Sequence, residues 1–289
     1  MAFTTLIGAQ ALAAHLTDPA FALVDCRFTL DDDAWGERAY RAGHIPGAIY
    51  AHLDRDLSGT KNGRNGRHPL PSAEALRRTL SRFGIDSDLQ VVAYDQDAGM
   101  YASRLWWLLR WMGHEAVAVL DGGFAKWTSD GHRTVGGVES RAARAFGGTP
   151  RQEMVSDAAD VAALLHRDDW RLVDARAPER FRGEAETLDR VAGHIPGAVN
   201  HFFKHNLAED GTFLPQEKLR ENLRRTIGGA APDRTICYCG SGVTACHNLL
   251  ALEHANLGGA KLYAGSWSEW SSDPERPVES DASADKRPR

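Results

Sequence analysis

The residue with the clearest chemical potential in this 289-residue chain is Cys239, which is followed by Gly240-Ser241-Gly242-Val243-Thr244. The apolar run 235–238 before it reads as a short buried strand, and 244–257 after it reads as a helix. Cys239 is therefore expected at the carboxyl end of a strand, the place where open α/β sheets bind ligands. A small glycine-containing turn into a helix N-terminus aims backbone N–H groups at whatever fills the turn. Donors converging on Sγ favour thiolate over thiol. A free cysteine titrates near about 8.5, and a helix N-terminus lowers that value. The same cradle could hold one added sulfur atom as a persulfide anion. Cys239 is thus the candidate nucleophile, and Gly240, Gly242, Val243 and Thr244 are the candidate binding loop.

The remaining cysteines read as structural. Cys237 lies two positions upstream on the same strand, Cys246 in the following helix, and Cys26 after a strand in the other half of the chain. Buried free cysteines commonly behave as small hydrophobes. Cys237-x-Cys239 is shorter than the usual zinc spacing, and neither His44 nor His194 has a Cys or His at ligand distance along the chain, so no metal is expected. A cysteine phosphatase would need a longer loop closed by an arginine, where this chain has Thr244 and Ala245. Trp106, Trp107 and Trp111 follow helical spacing and read as packing residues.

The elements that must position Cys239 occur twice. Leu-Val-Asp-Cys-Arg at 23–27 precedes Ala-Gly-His-Ile-Pro-Gly-Ala at 42–48; Leu-Val-Asp-Ala-Arg at 172–176 precedes the same seven residues at 192–198. Val-Val-Ala-Tyr-Asp at 91–95 matches Thr-Ile-Cys-Tyr-Cys at 235–239, so Asp95 stands where the second half has Cys239. The repeat is domain-sized, about 145 residues, and too long for a solenoid unit. Each copy alternates short apolar runs (21–25, 91–94, 116–120; 170–174, 235–238, 261–263) with helical patterns (73–83, 102–112; 216–227, 244–257). Ser72 is a candidate N-cap for the first of these helices. The alternation predicts an α/β fold, with two mainly parallel sheets flanked by helices. The expected boundaries are a first domain over 1–130, a glycine-rich linker over 131–151, a second domain over 152–272 and a disordered tail over 273–289.

Composition is that of a globular protein, with 43% hydrophobic and 25% charged residues. A net charge of −5 gives no footprint for nucleic acid. No apolar run is long enough for a membrane span. The segment 1–16 lacks the charged start of a secretory signal and reads as a surface helix, so a cytoplasmic setting is expected.

Val-Asp-x-Arg, Gly-His-Ile-Pro-Gly-Ala and a six-residue loop led by Cys239, present in duplicate over about residues 5–270, resemble the tandem-domain rhodanese family. The resemblance implies two rhodanese-like domains, of which the first is a non-catalytic copy. The loop is similar to that of the 3-mercaptopyruvate sulfurtransferase branch; the thiosulfate-using branch usually has two cations at the positions of Gly240 and Ser241. It implies sulfur transfer from a small-molecule donor, 3-mercaptopyruvate or alternatively thiosulfate, through Cys239 to a thiol, a thioredoxin-like protein or cyanide. It also implies an arginine clamp for the donor carboxylate, with Arg180 as one member and Arg190, or failing that Arg182, as the other. A Ser–His–Asp relay drawn from both halves is implied as well, matching Ser241, His68 and Asp54, with Asp56 close behind Asp54. A non-enzymatic sulfur carrier is the distant third reading.

Overall fold

A computed structural model of the chain describes residues 2–96, 98–165 and 167–281. These divide into two compact units. The first takes its residues from Met1–Gly59, Pro71–Gln152 and Leu207–Phe213, and the second from Thr60–Leu70, Glu153–Asn206 and Leu214–Arg289.

In the first unit, β1 (Leu6–Ile7), β2 (Phe21–Asp25), β3 (Ala48–Tyr50), β4 (Gln90–Tyr94) and β5 (Val117–Leu120) form one parallel sheet in the order β1-β5-β4-β2-β3. In the second, β6 (Val155–Ser156), β7 (Arg171–Asp174), β8 (Val199–Asn200), β9 (Thr235–Tyr238) and β10 (Lys261–Tyr263) repeat it as β6-β10-β9-β7-β8. Parallel strands covered on both faces read as unbroken apolar runs, and every residue of β2, β4 and β9 is buried. Flanking helices cover the faces. Ser72 caps Ala73–Arg82 by accepting from the Ala75 amide at 3.2 Å. In Ala102–Trp111 the three tryptophans are buried, Trp107 and Trp111 stacking at 5.9 Å.

The opening segment differs from the surface helix expected over 1–16. Leu6–Ile7 is an edge strand paired to Val119 and Leu120, and only Ala9–Ala13 is helical. A two-residue strand is too short to leave a period, which also explains why β6 and β8 carry no sequence signal.

The repeated motifs lock to each other. Arg27 grips the Asp25 carboxylate through Nε and Nη2 and donates to the Gly43 carbonyl at 2.6 Å. Arg176 does the same with Asp174 and the Gly193 carbonyl at 2.7 Å. Val-Asp-x-Arg thus ties the end of a central strand to Gly-His-Ile-Pro-Gly-Ala. Burial raises the Asp25 carboxyl, against the opposing pull of Arg27. Burial likewise opposes the charge on Arg176, but Asp174 outweighs it and raises the guanidinium further. The tyrosine of each central strand completes the knot, its hydroxyl accepting from Ile45 N or Ile195 N at 3.2 Å. The histidines serve this turn: His44 Nδ1 meets Tyr40 O, and His194 Nδ1 meets Phe181 O, both at 2.8 Å.

Two boundaries need correction. The expected tail is not free at its start. Glu279 exchanges backbone hydrogen bonds with His194 at 2.8 and 3.0 Å, the Asp281 amide donates to Arg182 O at 3.1 Å, and Trp270 Nε1 donates to Pro277 O at 2.8 Å. The expected linker makes the same contacts in the first unit. Val135 pairs with His44, the Gly137 amide donates to Arg41 O, and Trp127 Nε1 donates to Arg133 O. These strips bind through their backbones, so they need no apolar period. The repeat therefore runs on to Asp281; residues 282–289 of the expected tail lie outside the described residues.

Truncation after Ser272 removes this strip from the second unit. At about 1 kcal/mol for each of these four net hydrogen bonds, it is expected to cost about 4 kcal/mol. A urea unfolding midpoint equal to that of the full chain would count against the strip as part of the fold.

Candidate active site

Cys239 follows the last residue of β9 and is 2% exposed. The Gly242 amide donates to its Sγ at 3.1 Å, so the turn does aim a backbone donor at sulfur. The turn closes this tightly because Gly242 has φ +77°, and a Cβ there would stand 2.3 Å from Ala264 O. Val243 leads into the helix Thr244–His254. The Cys239 carbonyl accepts from Trp267 N and the Gly240 carbonyl from Ser268 N, both at 3.0 Å. The Cys239 amide donates to Ser266 Oγ at 3.1 Å. Ser266 is fully buried at φ +56°, a conformation that costs a non-glycine residue about 1–3 kcal/mol. The first unit has Gly123 at φ +60° in the matching position. The second unit thus accepts strain to place a hydroxyl beneath the cysteine backbone, a role the sequence alone did not mark.

The first unit places a carboxylate in the matching turn. Asp95 follows β4 and is fully buried. Its Oδ1 accepts from Gly99 N at 2.9 Å, and its Oδ2 accepts from Tyr101 N at 2.7 Å and Ala102 N at 3.0 Å. Amides at a strand–turn–helix junction converge on whichever group sits at the strand end. A carboxylate there is satisfied and cannot carry sulfur. Cys26, Cys237 and Cys246 are buried free thiols. Burial pushes up Cys237, with Cys246 and Cys239 adding to it, and pushes up Cys26, with Asp25 and Asp95 adding to it. Cys246 donates to Gly242 O at 3.3 Å and so braces the turn from behind.

Ser241 and His68 are in contact, Oγ to Nδ1 at 2.8 Å, and both are largely buried. His68 precedes the linker by a wide margin in sequence, yet Thr60–Leu70 belongs to the second unit. The expected domain boundary is corrected here too. Gly66 allows the crossing: at φ +82° it lies so close to Gly265 that a Cβ would meet Gly265 O at 2.7 Å. The next amide, Arg67 N, donates to Ser268 Oγ at 3.0 Å. Asp54 sits on the short helix Leu53–Asp56 of the first unit, its amide donating to His52 Nδ1 at 3.1 Å; Asp56 accepts from His52 N.

Arg180 reaches the loop. A Cβ on Gly240 would stand 3.5 Å from one of its guanidinium nitrogens and 2.8 Å from Arg67 Nη2. Arg67 was not marked by the sequence reading; its only signal was its place beside His68. Arg180 is held by Glu186 at 2.8 Å and by Asp189 at 3.3 Å, and Arg67 is paired with Asp189. Burial opposes ionisation of Glu186, but Arg180 and the Leu188 and Asp189 amides keep its carboxyl below the ordinary range. Arg190 is exposed, and Arg182 pairs at the surface with Glu184 at 2.7 Å. The structure thus brings together Cys239, Gly240, Ser241, Gly242, His68 and Arg180, adds Arg67, and leaves Arg190 and Arg182 outside that contact set.

The chain has counterparts among known proteins. The chain is 48% identical over 280 residues to a probable 3-mercaptopyruvate sulfurtransferase of Pseudomonas aeruginosa, covering 96% of this chain and 99% of that one. It is 32% identical over 272 residues to a thiosulfate sulfurtransferase of Bos taurus, covering 91% and 89%. The structure of 3-mercaptopyruvate sulfurtransferase from Leishmania major superposes with a TM-score of 0.84 at 29% identity, covering 95% of this chain and 76% of that one. The family model for the rhodanese-like domain matches residues 8–130 and 157–273, one match for each half. With its duplicated sheet and its cysteine-led turn, the chain belongs to the rhodanese-like domain family.

Proposed function

We propose that this sulfurtransferase takes sulfur from 3-mercaptopyruvate onto Cys239 and passes it to a thiol, a thioredoxin-like protein or cyanide. The observation that carries this reading is the Gly242 amide donating to Cys239 Sγ at the strand–helix turn. A donor fixed there favours an anion on sulfur, whether thiolate or persulfide.

The chemistry follows from the groups around the turn. The Cys239 thiolate attacks the sulfur of the donor thiol. The carbon–sulfur bond breaks and its electron pair stays on carbon as the pyruvate enolate. The proton of the donor thiol passes through Ser241 and His68 to that carbon, giving pyruvate and a Cys239 persulfide anion. General acid–base relay of this kind contributes about 10²–10⁴-fold in rate. An acceptor thiolate then attacks the outer sulfur and restores the Cys239 thiolate. Arg180 holds the donor carboxylate, a task its planar fork suits. All four cysteines are free, and thiol acceptors need a reducing compartment, which supports a cytoplasmic setting. Among the described residues no helix is long and apolar enough to cross a membrane.

Thiosulfate is the second reading. It is favoured by the two guanidiniums, Arg67 and Arg180, that meet at Gly240 and bring cationic charge to a loop that has none of its own.

Incubation with 3-mercaptopyruvate is expected to add the mass of one sulfur to the peptide containing Cys239 under non-reducing conditions, and an unshifted peptide would refute the mechanism. Cys239→Ser is expected to abolish turnover, while Cys246→Ser keeps most of it. The ratio of kcat/KM for the two donors measures differential transition-state binding; it is expected to favour 3-mercaptopyruvate, and a preference for thiosulfate overturns that choice. Ser266→Gly relieves the strained backbone but frees the Cys239 amide. It is expected to cut kcat about tenfold at near-unchanged thermal stability, and full activity would remove Ser266 from the site.

A further inference from the structure

We infer that Arg67 and Arg180 together form the clamp for the donor carboxylate, and that Asp189 occupies the clamp until the donor displaces it. The inference rests on the reading of Cys239 as a sulfur carrier fed by a thiol-bearing keto acid. It assigns Arg67 the place that the sequence comparison gave to Arg190 or Arg182.

The two guanidiniums lie against the same face of Gly240, one residue from the nucleophile. One Asp189 oxygen is on Arg67 and the other is on Arg180 Nη2 at 3.3 Å. A single carboxylate therefore spans both arginines, one oxygen to each, and a donor carboxylate would need the same arrangement. Its thiol would then lie toward Cys239, because the clamp borders the cysteine loop.

Arg180 has two carboxylate partners, and they differ in how firmly they are held. Both side chains are largely buried, Glu186 at 3% and Asp189 at 7% exposed, so the difference lies in their partners. Glu186 Oε1 accepts from the Leu188 amide at 2.9 Å and the Asp189 amide at 3.1 Å, and Arg180 donates to both Glu186 oxygens at 2.8 and 2.9 Å. Arg176 stands a further 3.5 Å away. Glu186 is thus built into the fold and orients Arg180. Asp189 is held by the two arginine side chains and has the longer contact to Arg180. It also lines a cavity of about 310 Å³ together with Lys61, Arg67 and Arg190. That volume falls in the range of small-molecule sites, about 300–1,000 Å³. The cavity carries three cations and one acid, so it attracts a small anion and delivers it to the carboxylate it must replace.

The exchange is one of like for like. Without donor, Asp189 pairs with both partly buried guanidiniums. With donor, its charge is released toward the cavity. Asp189 therefore sets the apparent affinity for the donor, and Arg67 supplies half of the grip.

The test is the split between KM and kcat for 3-mercaptopyruvate. Asp189→Asn keeps the shape and removes the competing charge, and is expected to lower KM about 3–10-fold. Arg67→Met is expected to raise KM about 10–100-fold, and Arg67→Lys to recover part of the loss because it keeps the charge without the fork. A purely structural ion pair would move these readouts differently: both Asp189→Asn and Arg67→Met would lower thermal stability and kcat, and KM would not move in opposite directions. That pattern, or a KM unchanged in all three variants, overturns the inference. Formation of the Cys239 persulfide in the unmodified protein separates the two claims. If the persulfide forms while the variants leave KM unmoved, the clamp assignment fails alone; if it does not form, the donor reading fails first.

Discussion

A turn that follows a central parallel strand and enters a helix presents more amide donors than the chain can satisfy internally, and both halves of this protein are arranged around that surplus. In the first half Asp95 absorbs it, with three amides on its two oxygens. In the second half the same position holds Cys239, with the Gly242 amide on sulfur. The pair works as an internal control. The group at the strand end differs in kind: a carboxylate that takes up three amides in one half, a cysteine sulfur that takes up the Gly242 amide in the other. Ser266 follows the same logic. Where Gly123 meets the backbone demand without cost, the cysteine-bearing half uses serine in a left-handed conformation, and its hydroxyl accepts from the Cys239 amide.

Keeping that turn rigid falls to buried charge. Asp25–Arg27 and Asp174–Arg176 fasten the end of a neighbouring strand to the conserved-in-duplicate Gly-His-Ile-Pro-Gly-Ala segment, through Gly43 O and Gly193 O. Removing one partner of such a pair costs about 3–5 kcal/mol, because the other is left buried and uncompensated. The tyrosines before Asp95 and Cys239 join the same knots through their hydroxyls. Anchor and Cys239 therefore sit at the ends of adjacent strands, and a loosened anchor is felt one residue from the cysteine.

Much of this was legible in the sequence, for identifiable reasons. Strands buried on both faces leave apolar runs, so β2, β4, β7 and β9 could be placed. Duplication supplied the sheet order's symmetry and pointed to Asp95 as the counterpart of Cys239. What escaped was held by backbone contacts or by distant side chains. The strip around Glu279 binds through main-chain groups and carries no pattern, so it read as tail. The segment Thr60–Leu70 changes units because Gly66 fits against Gly265, a steric fact that no periodicity encodes. Arg67 was overlooked for the same reason: its meaning depends on what lies across from it, Gly240 and Asp189, which are far away along the chain.

The charges beside the loop are balanced among themselves. Arg67 and Arg180 bring two positive charges against Gly240, and Glu186 and Asp189 bring two negative ones. The four side chains balance, so the resting protein does not have to bury a net charge, whose desolvation would oppose folding. Recognition of an anionic donor then need not create new positive charge; it requires only that one carboxylate be less firmly bound than the other. Glu186, tied to two amides and four guanidinium contacts, orients. Asp189, whose side chain is tied to the two arginines, yields. Dividing one neutral cluster into a fixed half and an exchangeable half gives the site both a defined shape before the donor arrives and a vacancy when it does.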